Sequence, residues 1–115
     1  MFFYNTTTNN TFNGVFEYNR GLIGNGGAMT FKDVCTNSTY NCNFMNNSAG
    51  NHGGALNFRQ KPHNLTINSN FTSNQGKYGG AINFFDDKDN VTITGLFVDN
   101  HATDVGDDIA YVNYD

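Results

Sequence analysis

Two short strings recur in phase along this chain, and that periodicity restricts the fold more than any other feature. The string F-x-x-N occurs at Phe16–Asn19, Phe44–Asn47, Phe71–Asn74 and Phe97–Asn100, with phenylalanine spacings of 28, 27 and 26. The string G-G-A plus a large apolar residue begins at Gly26-Gly27, Gly53-Gly54 and Gly79-Gly80. A degenerate copy, Gly106-Asp107-Asp108-Ile109, follows, and these spacings are 27, 26 and 27. A fixed period of this kind marks a repeat architecture, in which each unit buries its apolar face only against its neighbours.

Inside each unit the apolar period is two. Alternate positions read Leu65, Ile67, Ser69, Phe71 in one copy and Val91, Ile93, Gly95, Phe97 in the next, with Thr66, Asn68, Asn70, Thr92 and Thr94 between them. That alternation predicts a strand with one buried face. The position two before each Phe holds Gly14, Cys42, Ser69 or Gly95. A small residue at one place in every copy implies that the copies stack. A second strand follows each G-G-A, with Met29 and Phe31, Leu56 and Phe58, Ile82 and Phe84, then Ile109 and Tyr111 on one face. Asn/Gly/Ser-rich stretches between the strands read as turns. A unit of about 27 residues with two or more short strands closes no core alone, but coiled into a solenoid its inward side chains pile into columns. The expected fold is all-β, a right-handed parallel β-helix of about four turns occupying residues 1–115, the hand following from parallel crossovers. Propeller blades need about 40 residues and four strands, and leucine-rich repeats need leucine columns that this chain lacks.

Composition narrows function by exclusion. Six Lys/Arg against ten Asp/Glu give a net charge of −4, which excludes a basic nucleic-acid surface. No apolar run approaches the roughly 20 residues of a membrane-spanning helix. After Met1-Phe2-Phe3-Tyr4 the chain turns at once to Asn and Thr, so it carries no signal-peptide apolar region.

The paired G-G-A-[ILMV] and F-x-x-N strings resemble the repeats of polymorphic outer-membrane proteins and of large adhesin-like surface proteins of prokaryotes. The resemblance covers about residues 12–112. It implies a right-handed β-helix of the pectate-lyase-like superfamily, exported, displayed at the cell surface and engaged in adhesion. It carries over no catalytic residue, because those motifs are structural. Such proteins are far longer than 115 residues, so a segment of a larger repeat protein, or a short relative, is expected.

Asn19, Asn47, Asn74 and Asn100 occupy one turn position, and a structural ladder of stacked amides is preferred to a sugar-binding strip. Gly26, Gly53, Gly79 and Gly106 suit positive φ, while Gly27, Gly54 and Gly80 keep a column narrow. Asp107 replaces the second glycine in the last copy. A carboxylate buried between layers is costly, so this turn is expected to end the stack, with Asp107→Gly tolerated or stabilising. Two carboxylate clusters, Asp86/Asp87/Asp89 and Asp104/Asp107/Asp108, are expected in turns one layer apart. Calcium is the minor reading for them and solvated turns the preferred one; no other cofactor is expected. Asp99 and Asp115 complete a set of eight carboxylates beyond residue 85.

Glycoside hydrolysis wants two carboxyls about 5–9.5 Å apart across a groove. The expected outward positions hold Thr66, Asn68, Asn70, Thr92 and Thr94 on one strand, and Thr30, Asn57 and Asn83 on the other, with Asp108 only at the end. A non-enzymatic role follows. His52, His63 and His101 share no repeating spacing and predict no transition-metal site. Cys42 falls in the small inward column, so a buried thiol is preferred to a disulfide with Cys35. Seven N-x-[ST] strings, at Asn5, Asn9, Asn37, Asn46, Asn64, Asn70 and Asn90, read largely as products of composition. The expected function is an adhesin-like, extracellular recognition segment. Its expected partners are a host or neighbouring-cell protein or glycan, and adjacent repeats or further copies at its open ends. The alternatives are a fragment of a carbohydrate-active β-helix and a purely structural spacer.

Overall fold

The computed structural model describes residues 1–22 and 24–112; Asp115 lies outside the described residues. The first coil runs through β1 (Phe2–Phe3), β2 (Thr7–Thr8), β3 (Thr11–Glu17) and β4 (Arg20–Gly21). The second runs through β5 (Met29–Phe31), β6 (Cys35–Met45) and β7 (Ser48–Ala49). The third comprises β8 (Leu56–Phe58), β9 (His63–Asn68), β10 (Asn70–Thr72) and β11 (Gln75–Tyr78). The fourth comprises β12 (Ile82–Phe84), β13 (Asp89–Thr94), β14 (Phe97–Val98) and β15 (His101–Val105), and β16 (Ile109–Ala110) opens a fifth. Among the described residues there is no helix, and every strand pairing is parallel. This is the expected β-solenoid.

Three sheets result. Sheet A stacks β1-β5-β8-β12-β16, sheet B joins seven strands around β6, β9 and β13, and sheet C stacks β4-β7-β11-β15. Register follows the motifs, with Phe71 opposite both Phe44 and Phe97, and Ile82 opposite both Leu56 and Ile109. The core is therefore a set of columns. Phe16, Phe44, Phe71 and Phe97 stack with ring centroids 5.3, 5.0 and 4.8 Å apart. Phe3, Phe31, Phe58, Phe84 and Tyr111 form a second column at 4.7–5.4 Å. Near-parallel rings at this spacing gain dispersion contact in every layer.

The two glycines of each G-G pair answer different demands. Gly26, Gly53, Gly79 and Gly106 have φ of 67°, 64°, 75° and 73°, and a Cβ on any of them would strike the carbonyl three residues ahead. That demand is local to the turn. A Cβ on Gly27, Gly54 or Gly80 would instead lie 2.0–2.1 Å from a carbonyl oxygen of the next coil. That demand exists only where a next coil exists. The fourth copy keeps the first glycine, Gly106, and carries Asp107 in place of the second.

Both cysteines are free and buried, as the thiol reading expected. Cys35 Sγ lies 3.1 Å from Tyr40 Oη, and Cys42 Sγ donates to the Phe12 carbonyl at 3.2 Å.

Candidate functional site

The F-x-x-N asparagines form an internal ladder at the corner between sheets B and C. The backbone N–H and the Nδ2 of Asn19 both donate to Asn47 Oδ1, at 3.1 and 3.0 Å. Asn47 donates in the same way to Asn74, and Asn74 to Asn100, at 3.0 Å each. The second Nδ2 hydrogen of Asn47, Asn74 and Asn100 reaches the carbonyl of Phe16, Phe44 and Phe71. These amides are spent on structure, and Asn47, Asn74 and Asn100 are buried. Asp108 Oδ1 accepts from Asn100 Nδ2 at 3.1 Å, where the next asparagine would have stood. Asp107 is exposed and accepts from the upward-facing N–H of Ala102 at 3.0 Å. The Asp107-Asp108 pair thus closes two rows of donors. Because Asp107 has this partner, its replacement by glycine removes a hydrogen bond, so the expectation of a neutral or stabilising change gives way to a modest loss.

Sheet A does not offer the outward face expected of it. Thr30, Asn57 and Asn83 are each 0 % exposed. The corners curl back over them: Thr30 Oγ1 donates to the Asn25 carbonyl, Asn25 Oδ1 meets His52 Nδ1 at 2.8 Å, and Asn83 exchanges two hydrogen bonds with the Val112 backbone. His52 packs on Phe85 and Tyr78, at centroid distances of 4.4 and 5.0 Å, and Arg59 sits over the Phe85 ring. No alternation in the sequence reveals that corner residues cover a strand.

The acidic clusters are also rearranged. Asp86 and Asp87 follow β12 at the corner leading into sheet B and Asp89 opens β13, while Asp104 lies in β15 and Asp107 and Asp108 stand at the corner leading into sheet A. They occupy different corners rather than adjacent layers of one. Asp89 pairs with His63 at 3.0 Å, and Asp107 lies 3.5 Å from His101. Among the described residues, no three His, Cys, Asp or Glu side chains are grouped to hold a metal ion.

What faces solvent in an ordered array is the outer side of sheet B. Registered pairing sets Thr11, Thr39, Thr66 and Thr92 in one column. The next columns outward along the strands hold Asn13 and Asn41, Asn68 and Thr94, then Val15, Asn43 and Asn70. Exposed amides link the coils: Asn41 Nδ2 to Asn13 Oδ1 at 3.0 Å, and Asn70 Nδ2 to Asn43 Oδ1 at 3.2 Å. Side chains held in this way lose little further freedom when a ligand engages their remaining lone pairs and hydrogens. These columns carry no charged side chain, although the chain as a whole is acidic; Glu17 stands at the next outward position of β3, opposite Met45.

Just before the threonine column stand Asn9, Asn37, Asn64 and Asn90, all left-handed with φ of 50–57°. Asn64 Nδ2 donates to Asn37 Oδ1 at 3.1 Å and Asn90 Nδ2 to Asn64 Oδ1 at 2.6 Å. Asparagine tolerates this backbone better than other side chains. Four of the seven N-x-[ST] strings are therefore one repeat feature, a left-handed Asn followed by a strand Thr, rather than accidents of composition. Their spacings, 28, 27 and 26, match those of F-x-x-N and reveal the column in the sequence.

Two acidic groups inside the coil, Tyr40 and Cys42, are held neutral. Burial first, then the neighbouring Cys35 thiol, pushes the Tyr40 phenol far above its ordinary range, and burial raises the Cys42 thiol. Neither is set up as a nucleophile or proton donor at neutral pH. No family model, curated protein or solved structure matches the chain. Fold and site define a class, a parallel β-solenoid of about four turns, compatible with a β-helix superfamily.

Proposed function

We propose that this chain is a non-enzymatic, adhesin-like recognition segment displayed at the cell surface, where the outer face of sheet B binds a host or neighbouring-cell protein or glycan. The observation that carries the reading is that face: an uncharged array of threonine hydroxyls and ladder-held asparagine amides. Such groups donate and accept hydrogen bonds to sugar hydroxyls or peptide groups, many weak contacts adding over one rigid surface. The G-G-A and F-x-x-N strings, which resemble surface-protein repeats, support display outside the cell. A glycan array and a cell-binding assay test it, comparing the chain with a Thr66→Lys, Asn41→Lys variant at two positions that tolerate polar change. Binding should fall by about tenfold or more with stability changed by less than about 0.5 kcal/mol. Undiminished binding by the variant would refute the face as the site. No binding by the intact chain to any glycan or cell would favour the spacer reading instead.

A further inference from the structure

The outer side of sheet B repeats in two directions, and the core does not require it to. Packing fixes the inward positions of a solenoid, whereas the outward ones are free to differ from coil to coil. Here they hardly differ. The outward pairs are Thr11 with Asn13, Thr39 with Asn41, Thr66 with Asn68, and Thr92 with Thr94, a T-x-[NT] string with threonine spacings of 28, 27 and 26. Registered parallel pairing turns these strings into columns. Coils stack at about 4.8 Å, and two residues along a strand advance about 6.6 Å. The face is therefore a small rectangular lattice of hydroxyls and amides.

The coil spacing is close to the repeat of hexagonal ice along its a axis. The strand spacing is somewhat shorter than the repeat along c, a mismatch carried over very few steps. Charge is excluded from the same area. The chain holds ten Asp/Glu and six Lys/Arg, yet the charged side chains in the strands of sheet B are Glu17 and Asp89, the latter paired with His63, at opposite margins of the array. Ice excludes ions, and a charge within the contact would have to give up its hydration. A neutral array on an acidic molecule complements a neutral solid. The array is also rigid. Threonine is stiff at χ1, and Asn41 donates to Asn13, Thr94 to Asn68 and Asn70 to Asn43 across coils. Polar groups held in this way order a first layer of water at fixed positions with little further loss of side-chain freedom. The methyl beside each threonine hydroxyl confines that water without binding it.

We propose that the outer face of sheet B binds the surface of ice, its ordered water layer merging with the lattice and halting growth there. A crystal meets every row of a periodic face at once, so contacts that are weak singly add together. Ice is a further ligand for the face already described, and its binding does not rest on display at the cell surface. It is measured in solution with neither cells nor glycans, so either reading can fail alone.

Thermal hysteresis, the gap between the melting and freezing temperatures of a single ice crystal, is measured on the purified chain by nanolitre osmometry at rising concentration. The expected result is a gap that widens with concentration, around faceted crystals. Thr66→Tyr raises a ring in the middle of the array and should shrink the gap about tenfold or more. Gln75→Tyr, a bulky change at an exposed position of β11 in sheet C, should leave it within about twofold. Circular dichroism reports folding, and Asn41→Tyr is the second face variant should Thr66→Tyr disturb it. No hysteresis at any concentration, a gap untouched by a folded face variant, or equal shrinkage by Gln75→Tyr would each overturn the proposal.

Discussion

At the scale of the residue, the same element of sequence is indispensable or dispensable according to what lies above it. A Cβ added at Gly54 would lie 2.0 Å from the Gly80 carbonyl oxygen and 2.7 Å from the Gln75 backbone, none of which yields like a flexible side chain. Gly54→Ala should therefore cost at least about 3 kcal/mol or prevent folding, through forced separation of two coils. Asp107→Gly, at the homologous position, forfeits one exposed-side hydrogen bond to Ala102 and should cost only about 1 kcal/mol. Urea unfolding of the two variants checks the contrast, and similar losses would refute the assignment of the second glycine to inter-coil packing.

At the scale of the element, the internal Asn ladder and the column around Tyr40 bear different loads. Asn74 donates to Asn100 and Phe44 and accepts from Asn47, all buried. Asn74→Ala should cost about 3 kcal/mol in chemical denaturation, whereas Asn43→Ala on the solvated face should cost less than about 0.5. Tyr40 and Cys42 hold their protons more tightly folded than unfolded. Below the unfolded values of 10.0 and 9.0 their contribution is fully present, and it is lost as pH rises past them toward the folded values. Thermal midpoints should thus hold to about pH 8 and then fall. Tyr40→Phe preserves the stacked contact with Phe12 and the edge-to-face contact with Phe58 and should flatten the alkaline decline; an unchanged decline would exclude Tyr40 as its source.

At the scale of the whole molecule, charge is distributed along the stacking axis. Seven aspartates crowd the last coil, while the middle coils hold the fully buried rings. In a solenoid each coil is supported only by its neighbours, so repulsion at one end loosens that end first. Raising ionic strength from about 0.01 to about 1 M shortens the Debye length from roughly 30 to roughly 3 Å. Amide exchange in β13–β16 should slow with added salt more than exchange in β6 and β9. Uniform slowing would show that the acidic end is not the weak point.

The repeat spacing, the period-two strands, the Phe columns, the Asn ladder and the need for the first glycine were all legible in the sequence. Each is a local or strictly periodic demand, repeated in phase by every copy. The aligned N-x-T strings were equally periodic, but their spacing is diluted by an Asn- and Thr-rich composition. The burial of Thr30, Asn57 and Asn83, the separation of the acidic clusters onto different corners, and the capping bonds of Asp107 and Asp108 were decided only by the tertiary structure. These depend on how corners curl and on which coil lies above, distances between segments 5 to 29 residues apart that no local alternation encodes.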